Sequence, residues 1–437
     1  MTPNQAMQEL LDTAIQNLGP AKIDSPLKSK RFTAEDPPVR IQLTKEDVPE
    51  IEGDLTVAFE PAGPREKIYF DPNKCKAAVV TCGGLCPGLN DVVRAITLEA
   101  HYNYGVASVL GVRFGLEGFI PSYGHEIVEL TPHYVSTISE FGGTVLGSSR
   151  GPQPVADIVD CLERLNVSML FVIGGDGTMK AARAIQDEAN SRGTRIAIIG
   201  VPKTIDNDIS GVNPSFGFDT AVDVAGMVIR CAHVEATGAK NGVGMVKLMG
   251  RESGFIAAQA TLAFQDVNFV LVPEQEFALG GDNGLLPALE KRLAERAHAV
   301  IVVAEGAGQH LLQASGQTDA SGNVMLGDIC DLLQKEIKGH FTAKGLPLTL
   351  KFIDPSYTIR SAPANSNDCV YCNFLGRYAV HAAMAGKTGM CVSKVQGRFV
   401  HMPFHLVTRR RRKLDTSSEY WRAVVESTGQ YAVSSVG

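Results

Sequence analysis

A run of apolar residues that ends in Gly-Gly-Asp-Gly has few ways to fold. Met169 to Ile173 are apolar without interruption, which reads as a strand buried on both faces, as in a parallel sheet. Gly174-Gly-Asp-Gly-Thr178 then reads as a strand-to-helix turn. Its glycines let the backbone come close to a bulky anion, and Thr178 is placed to cap the helix. The helix start offers free N–H groups and the positive end of a dipole. Asp176 does not suit a bare phosphate, but it suits a Mg²⁺ ion beside phosphates. At this point an acidic residue in an ordinary turn explains the same residues equally well, because short motifs recur by chance.

The surrounding chain repeats the pattern of strand, glycine-rich turn and helix. Ala77–Thr81 reads as a strand, Asn90–Tyr102 as a helix and Val106–Val112 as a strand. Pro154–Leu165 reads as a helix entering the Met169 strand, Thr178–Asn190 as the helix leaving it, and Arg195–Val201 as the next strand. After a long helix over Asp219–Thr237 the rhythm restarts. Strands are expected over Gly242–Leu248, Asn268–Val272 and His298–Ala304, with helices over Glu252–Ala263 and Leu285–Ala297. Such alternation predicts α/β domains with mainly parallel sheets and helices on both faces. At 437 residues there is room for two or three domains.

Residues 1–72 break the rhythm. Met1–Leu18 reads as an amphipathic helix, and Ser25–Asp54 is rich in Pro, Lys, Glu and Asp. This stretch is expected to be an extension packed on the core or on a neighbouring subunit. A net charge of −6 gives no general attraction to nucleic acid or anionic membrane. No apolar run approaches a membrane span and the N-terminus lacks a secretory plan, so a cytoplasmic protein is expected. Nine cysteines, an odd number, argue for reduced thiols. Cys369-Val-Tyr-Cys372 has no second pair to complete a zinc site, and Cys82 and Cys86 read as small space-fillers. The run Arg409–Lys413 reads as a solvated turn or subunit contact rather than a nucleic-acid site.

Ligands in α/β folds bind beyond the carboxyl ends of strands, which singles out four loops. Thr81-Cys-Gly-Gly-Leu-Cys-Pro-Gly-Leu-Asn90 has P-loop glycine spacing at Gly83 and Gly88, but Leu89-Asn90 replaces the required Lys-Ser/Thr, so a Walker-type NTPase is excluded. Gly142–Gly151 offers glycines, hydroxyls and Arg150 to a polyphosphate. Pro202-Lys-Thr-Ile-Asp-Asn-Asp208 crowds charge at another strand end, where Asp206 suits a general base towards a hydroxyl. Met249-Gly-Arg-Glu-Ser-Gly254 offers Arg251 to an anion. Each loop alone reads equally well as a capped or solvated turn.

Taken together and in order, Gly-Gly-Asp-Gly-Thr, Pro-Lys-Thr-Ile-Asp-Asn-Asp, Ser215-Phe-Gly-Phe-Asp-Thr220 and Met-Gly-Arg resemble the 6-phosphofructokinase family. The resemblance spans Pro61 to His405. Ala62-Gly-Pro-Arg-Glu-Lys-Ile-Tyr-Phe70 and the Gly83–Asn90 loop are similar to the long-N-terminus branch of plants and trypanosomatids. It implies two Rossmann-like three-layer domains with the active site in the cleft between them. Residues 73–217 with 359–400 would form the donor domain, and 218–358 with 401–437 the sugar-phosphate domain and tail.

The resemblance also implies roles. Mg-ATP would phosphorylate the 1-hydroxyl of fructose 6-phosphate, with Asp206 as base and Lys203, Thr204, Arg150 and Arg251 beside the transferring group. Gly83, Arg150, Gly175, Asp176, Gly177, Thr178 and Lys180 would hold the donor, with Asp176 on Mg²⁺ and Asp208 assisting. Thr204, Asp206, Asp208, Met249, Gly250, Arg251, Glu305, Lys351, Tyr357 and Arg360 would hold the sugar phosphate. Gly242 stands where bacterial relatives place a further phosphate-binding Arg, so that arm is missing unless Lys247 covers it. Pyrophosphate-using relatives carry Asp at Gly177, whose side chain would fill the space of the ATP α-phosphate. Gly177 therefore favours ATP, whereas Lys203, a Gly in bacterial ATP enzymes, leans towards pyrophosphate. A homotetramer or homodimer with allosteric control is the family expectation.

Overall fold

Met169–Gly174 is a strand buried along its whole length, and it lies at the centre of a seven-stranded sheet. The computed structural model describes residues 11–28, 31–33, 38–43, 55–212, 214–313, 316–318, 324–431 and 433. The elements used below are, in chain order, β1 (Lys76–Thr81), α1 (Leu89–Leu98), β2 (Ser108–Val112), β3 (Ile127–Glu129), α2 (Val155–Arg164), β4 (Met169–Gly174), α3 (Asp176–Ser191) and β5 (Ala197–Pro202). They continue with α4 (Phe218–Thr237), β6 (Gly242–Leu248), α5 (Phe255–Phe264), β7 (Phe269–Leu271), α6 (Leu285–Arg296), β8 (His298–Ala304), α7 (Ile329–Ala343), β9 (Thr349–Ile353) and α8 (Ser356–Arg360). The last are α9 (Ser366–Met384), β10 (Met390–Val395), β11 (Arg398–Pro403) and α10 (Glu419–Thr428).

The chain divides into two units: residues 1–205, 209–217 and 361–411, and residues 206–208, 218–360 and 412–437. The first unit's sheet has the order β11-β10-β5-β4-β1-β2-β3. Its five central strands run parallel and its two edge strands antiparallel. Alternate side chains leave opposite faces of the sheet. Ala78, Val80, Leu170, Val172 and Ile198 share one core with Ile158 and Leu162 of α2 and Ala182 and Ile185 of α3. On α1 and α9, which pack together, the buried residues include Val92, Ile96, Leu375 and Ala379. Burying each such aliphatic side chain contributes about 1.5–3 kcal/mol.

The second unit's sheet is wholly parallel, in the order β7-β8-β6-β9. Helix α4 packs on β6, β8 and β9. Val243, Met245, Phe269, Ile301 and Val303 form a core with Leu285, Leu289, Leu293, Leu333 and Ile337 of α6 and α7.

Several boundaries differ from the expectation. Thr178 does not cap α3: the helix starts at Asp176 after Gly175, with no side-chain cap, and Thr178 is buried inside it. The helix expected to run to Tyr102 is α-helical only to Leu98 and continues as a π-helical turn, Glu99–Tyr104. The first unit runs to Arg411, and β11 joins its sheet by antiparallel pairing with β10.

The helix expected over Met1–Leu18 lies partly outside the described residues. Its described end instead places Gln16–Asn17 as a short strand on Lys387–Thr388. Among the described residues of the extension, Glu60 is one tie to the first unit's core. Its carboxylate meets Arg65 at 2.9 Å, Lys387 at 2.9 Å and His401 at 3.2 Å. Burial alone would raise the Glu60 pKa. The hydrogen bond and charge of His401, the charge of Lys387 and the Arg65 hydrogen bond outweigh it and hold the group well below the usual carboxylate range.

Candidate active site

In the first sheet the chain leaves β1 for β2 on one side and returns to β4 on the other. The reversal makes the carboxyl ends of β1 and β4 a topological switch point, where open α/β sheets bind ligands. The loops expected to hold the donor meet here. Cys82 N–H donates to Ile173 O at 2.8 Å, joining the loop after β1 to β4. Ser148 Oγ donates to Gly83 O at 2.6 Å, and Gly83 N–H to Ser149 O at 3.2 Å. Thr81 Oγ1 donates to Gly147 O at 2.7 Å, and Val145 N–H to Asn90 Oδ1 at 2.9 Å. The Gly142–Gly151 loop is thereby laced to the Thr81–Asn90 loop. Gly83, at φ 81°, occupies a conformation that glycine adopts at little cost.

Lys203 follows β5 and is buried. Its N–H donates to Gly174 O at 2.8 Å, and its Nζ to Gly84 O at 2.7 Å. Thr204 follows it, and Thr204 O accepts from Ser215 Oγ. Asp176 stands in the first turn of α3 and pairs with Lys180 at 2.7 Å. Gly175 and Gly177 are at the mouth of the turn, and a Cβ at Gly177 would have nothing within 4 Å. Arg150 is exposed at the end of its loop.

The described residues contain no cluster of three or more His, Cys, Asp or Glu able to hold a metal. A magnesium ion needs no such cluster, since it keeps waters and binds through one or two carboxylates plus substrate phosphates. A single partly exposed carboxylate at a helix N-terminus, as at Asp176, fits that donor set. Cys369 and Cys372 lie on α9, and among the described residues no third His, Cys, Asp or Glu is grouped with them to hold a metal ion. The nine cysteines are thiols rather than disulfides, and burial pushes the Cys82 thiol up to about 12, so it is a space-filler rather than a nucleophile.

In the second unit, β6 and β8 are adjacent, so the residues after them meet. Glu305 N–H donates to Leu248 O at 2.9 Å, and Gly306 N–H to Gly250 O at 3.1 Å. Arg360 Nε lies 3.2 Å from Met249 Sδ, which brings the end of α8 to the same edge. Arg251 bonds the Val324 carbonyl. Met249, Gly250, Arg251, Glu305 and Arg360 are thus grouped. Lys351 is exposed on the edge strand β9, and Tyr357 is 88% exposed on α8. Gly242 has no room for a side chain, because a Cβ would strike the Ala236 backbone. Lys247 pairs with Asp354 at 3.5 Å, which, with the neighbouring acidic groups, raises its pKa against the opposing effect of burial.

Asp206–Asp208 belong to the second unit although the residues on either side belong to the first. Asn207 takes a left-handed φ of 57°, which Asn tolerates better than most residues. The Asp206 carbonyl accepts from Ser253 Oγ at 3.3 Å, and the Asp208 carbonyl from Arg412 N–H at 2.7 Å. The run Arg409–Lys413 is therefore not a solvated turn. Arg409–Arg412 are half-buried, and Arg411 pairs antiparallel with Ile209. Sequence reasoning missed Ser253, Arg412 and Glu274 as parts of this site. The usable signal for Glu274 was its place just past the carboxyl end of a strand.

Comparison with known proteins places the chain in a family. The family pattern PFK: Phosphofructokinase matches residues 76–383. The chain is 47% identical to an ATP-dependent 6-phosphofructokinase of Borreliella burgdorferi, covering 97% of each chain. It is 47% identical to ATP-dependent 6-phosphofructokinase 1 of Arabidopsis thaliana over 85% of this chain and 79% of that protein. An ATP-dependent 6-phosphofructokinase of Trypanosoma brucei brucei is 45% identical over 87% and 79%. The fold resembles a pyrophosphate-dependent phosphofructokinase from Marinobacter aquaeolei, with a TM-score of 0.67 and 19% identity over 81% of this chain and 91% of that one. A family match over residues 76–383, with 47% identity to a relative over 97% of the chain, makes this protein a member of the phosphofructokinase family.

Proposed function

We infer that the chain is an ATP-dependent 6-phosphofructokinase, transferring the terminal phosphoryl group of Mg-ATP to the 1-hydroxyl of fructose 6-phosphate. The observation that carries the choice of donor is the open space at Gly177 on the first turn of α3, where an α-phosphate can lie against backbone. Phosphoryl transfer asks a protein mainly for alignment and charge stabilisation.

In this reading Gly83 and the Gly175–Thr178 turn take the donor, with Lys180 and Arg150 beside its phosphates. Asp176, assisted by Asp208, holds the magnesium ion, which when bound neutralises charge on the donor phosphates. Asp206 accepts the proton of the sugar 1-hydroxyl as the new O–P bond forms and the bond to ADP breaks. Lys203 and Thr204 fix the loop that leads to Asp206, and Arg251 stabilises the transferring group. Met249, Gly250, Glu305 and Arg360 hold the sugar, joined by Lys351 and Tyr357 at the 6-phosphate. Tyr357 supplies a neutral donor there, and Gly242 removes one cationic arm from that clamp.

We place the enzyme in the cytoplasm as an allosterically controlled homotetramer, without nucleic-acid or membrane partners. No helix among the described residues is long and apolar enough to cross a membrane. Light scattering on the purified chain tests the tetramer. A coupled assay with ATP and fructose 6-phosphate tests the activity: fructose 1,6-bisphosphate should form, and none forming would refute it.

A further inference from the structure

The second unit contains a closed ring of contacts that passes through one buried carboxylate. Glu274 follows β7, and both of its oxygens accept from Gly254 N–H, at 3.1 and 3.0 Å. Oε1 also accepts from Leu414 N–H at 2.8 Å. Gly254 precedes α5, so the carboxylate sits at a helix N-terminus, where negative charge is favoured. A side chain at Gly254 would strike Val272, so only glycine lets this amide approach.

Both arms return to the Asp206–Asp208 loop. Ser253, next to Gly254, donates to Asp206 O at 3.3 Å. Arg412, two residues before Leu414, donates its N–H to Asp208 O at 2.7 Å. The Arg412 guanidinium also lies 4.5 Å above the Phe255 ring, which closes the ring a second time. Arg251 is only three residues before Gly254. A simple helix cap explains the Gly254 bonds, but it does not explain why the same carboxylate holds the tail that carries Arg412.

We propose that Glu274 is a positioning residue that fixes Asp206 and Arg251 relative to each other, with Arg412 and Leu414 as the strap it anchors. This role rests on reading Asp206 as the base and Arg251 as a charge stabiliser. Glu305 and Lys351 stand outside the ring's contacts, so its loss is expected to cost kcat more than affinity for the sugar phosphate. A misplacement of about 1 Å costs on the order of 10²-fold in rate.

The test is steady-state kinetics of the full chain with Mg-ATP and fructose 6-phosphate, run on wild type, Glu274→Gln, Ser253→Ala and the double variant, with thermal melts of each. Glu274→Gln keeps the shape but puts an amide donor against one of the two N–H groups. It should lower kcat about 10- to 100-fold while KM for fructose 6-phosphate moves less than about threefold. Ser253→Ala should lower kcat several-fold in the same manner. The double variant should lose less than the product of the single losses, because both act on one ring. Lys338→Ala, exposed on α7 and outside the ring, should keep wild-type kcat.

Wild-type kcat in a cooperatively melting Glu274→Gln protein, or a double variant whose loss equals the product, overturns the proposal. Should Glu274→Gln not melt cooperatively, Ser253→Ala decides alone, and wild-type kcat there overturns it. An inactive wild type would instead refute the assigned activity, independently of the ring.

Discussion

Lys203 Nζ lies 2.7 Å from the Gly84 carbonyl oxygen, so a buried cation at the end of β5 holds the glycine loop that follows β1. Its main-chain N–H holds Gly174 as well, so one residue ties three strand ends together. A lysine placed in this way supports the loop. Charged hydrogen bonds of this kind contribute about 1.5–3 kcal/mol. Lys203→Met should therefore raise KM for ATP about tenfold or more, measured by initial rates at saturating fructose 6-phosphate.

Gly177→Asp should abolish turnover with ATP while leaving the fold intact. The new Cβ meets no atom within 4 Å, and aspartate in a first helical turn suits the helix dipole. The melting temperature should stay within a few degrees of wild type, as judged by thermal unfolding. Full ATP activity in this variant would remove the steric argument for the donor.

Asp206→Asn should lower kcat by about 10²- to 10⁴-fold, the usual contribution of a general base. Fructose 6-phosphate binding, followed by calorimetry, should persist. A loss of binding equal to the loss of rate would show that Asp206 holds the sugar rather than its proton.

Burial, and then the charges of Arg377 and Arg65, lower the His381 pKa from 6.5 to about 3, although Glu99 stands 3.7 Å from its Nε2. With the ring neutral, the Tyr104 hydroxyl 2.8 Å away donates to Nδ1, an arrangement that protonation would break. The unfolded chain takes up this proton near pH 6.5, whereas the folded chain resists until about pH 3. Stability from this site is therefore complete above pH 6.5 and is lost as pH falls through that window. Melting temperature against pH should fall less steeply for His381→Gln than for wild type between pH 6.5 and 4.

The parts of this fold visible in the sequence are those governed by local chemistry. The apolar runs at β4, β6 and β8 have the length and glycine punctuation of buried parallel strands, and they fold as such. Gly174–Thr178 and Lys203–Asp208 stood out because they crowd glycine and charge at strand ends. β11 had no local signal, because its place in the sheet is fixed by pairing with β10. Thr178 resembled a cap, but the backbone enters α3 two residues earlier, at Asp176. Glu274 and Arg412 stayed hidden because their bonds join residues 20 and more than 200 positions away.

Initial rates of fructose 1,6-bisphosphate formation with ATP and with pyrophosphate, each with and without Mg²⁺, test the central claim most directly. Magnesium-dependent turnover with ATP and little or none with pyrophosphate is the predicted result. Turnover with pyrophosphate that equals or exceeds the ATP rate would contradict it.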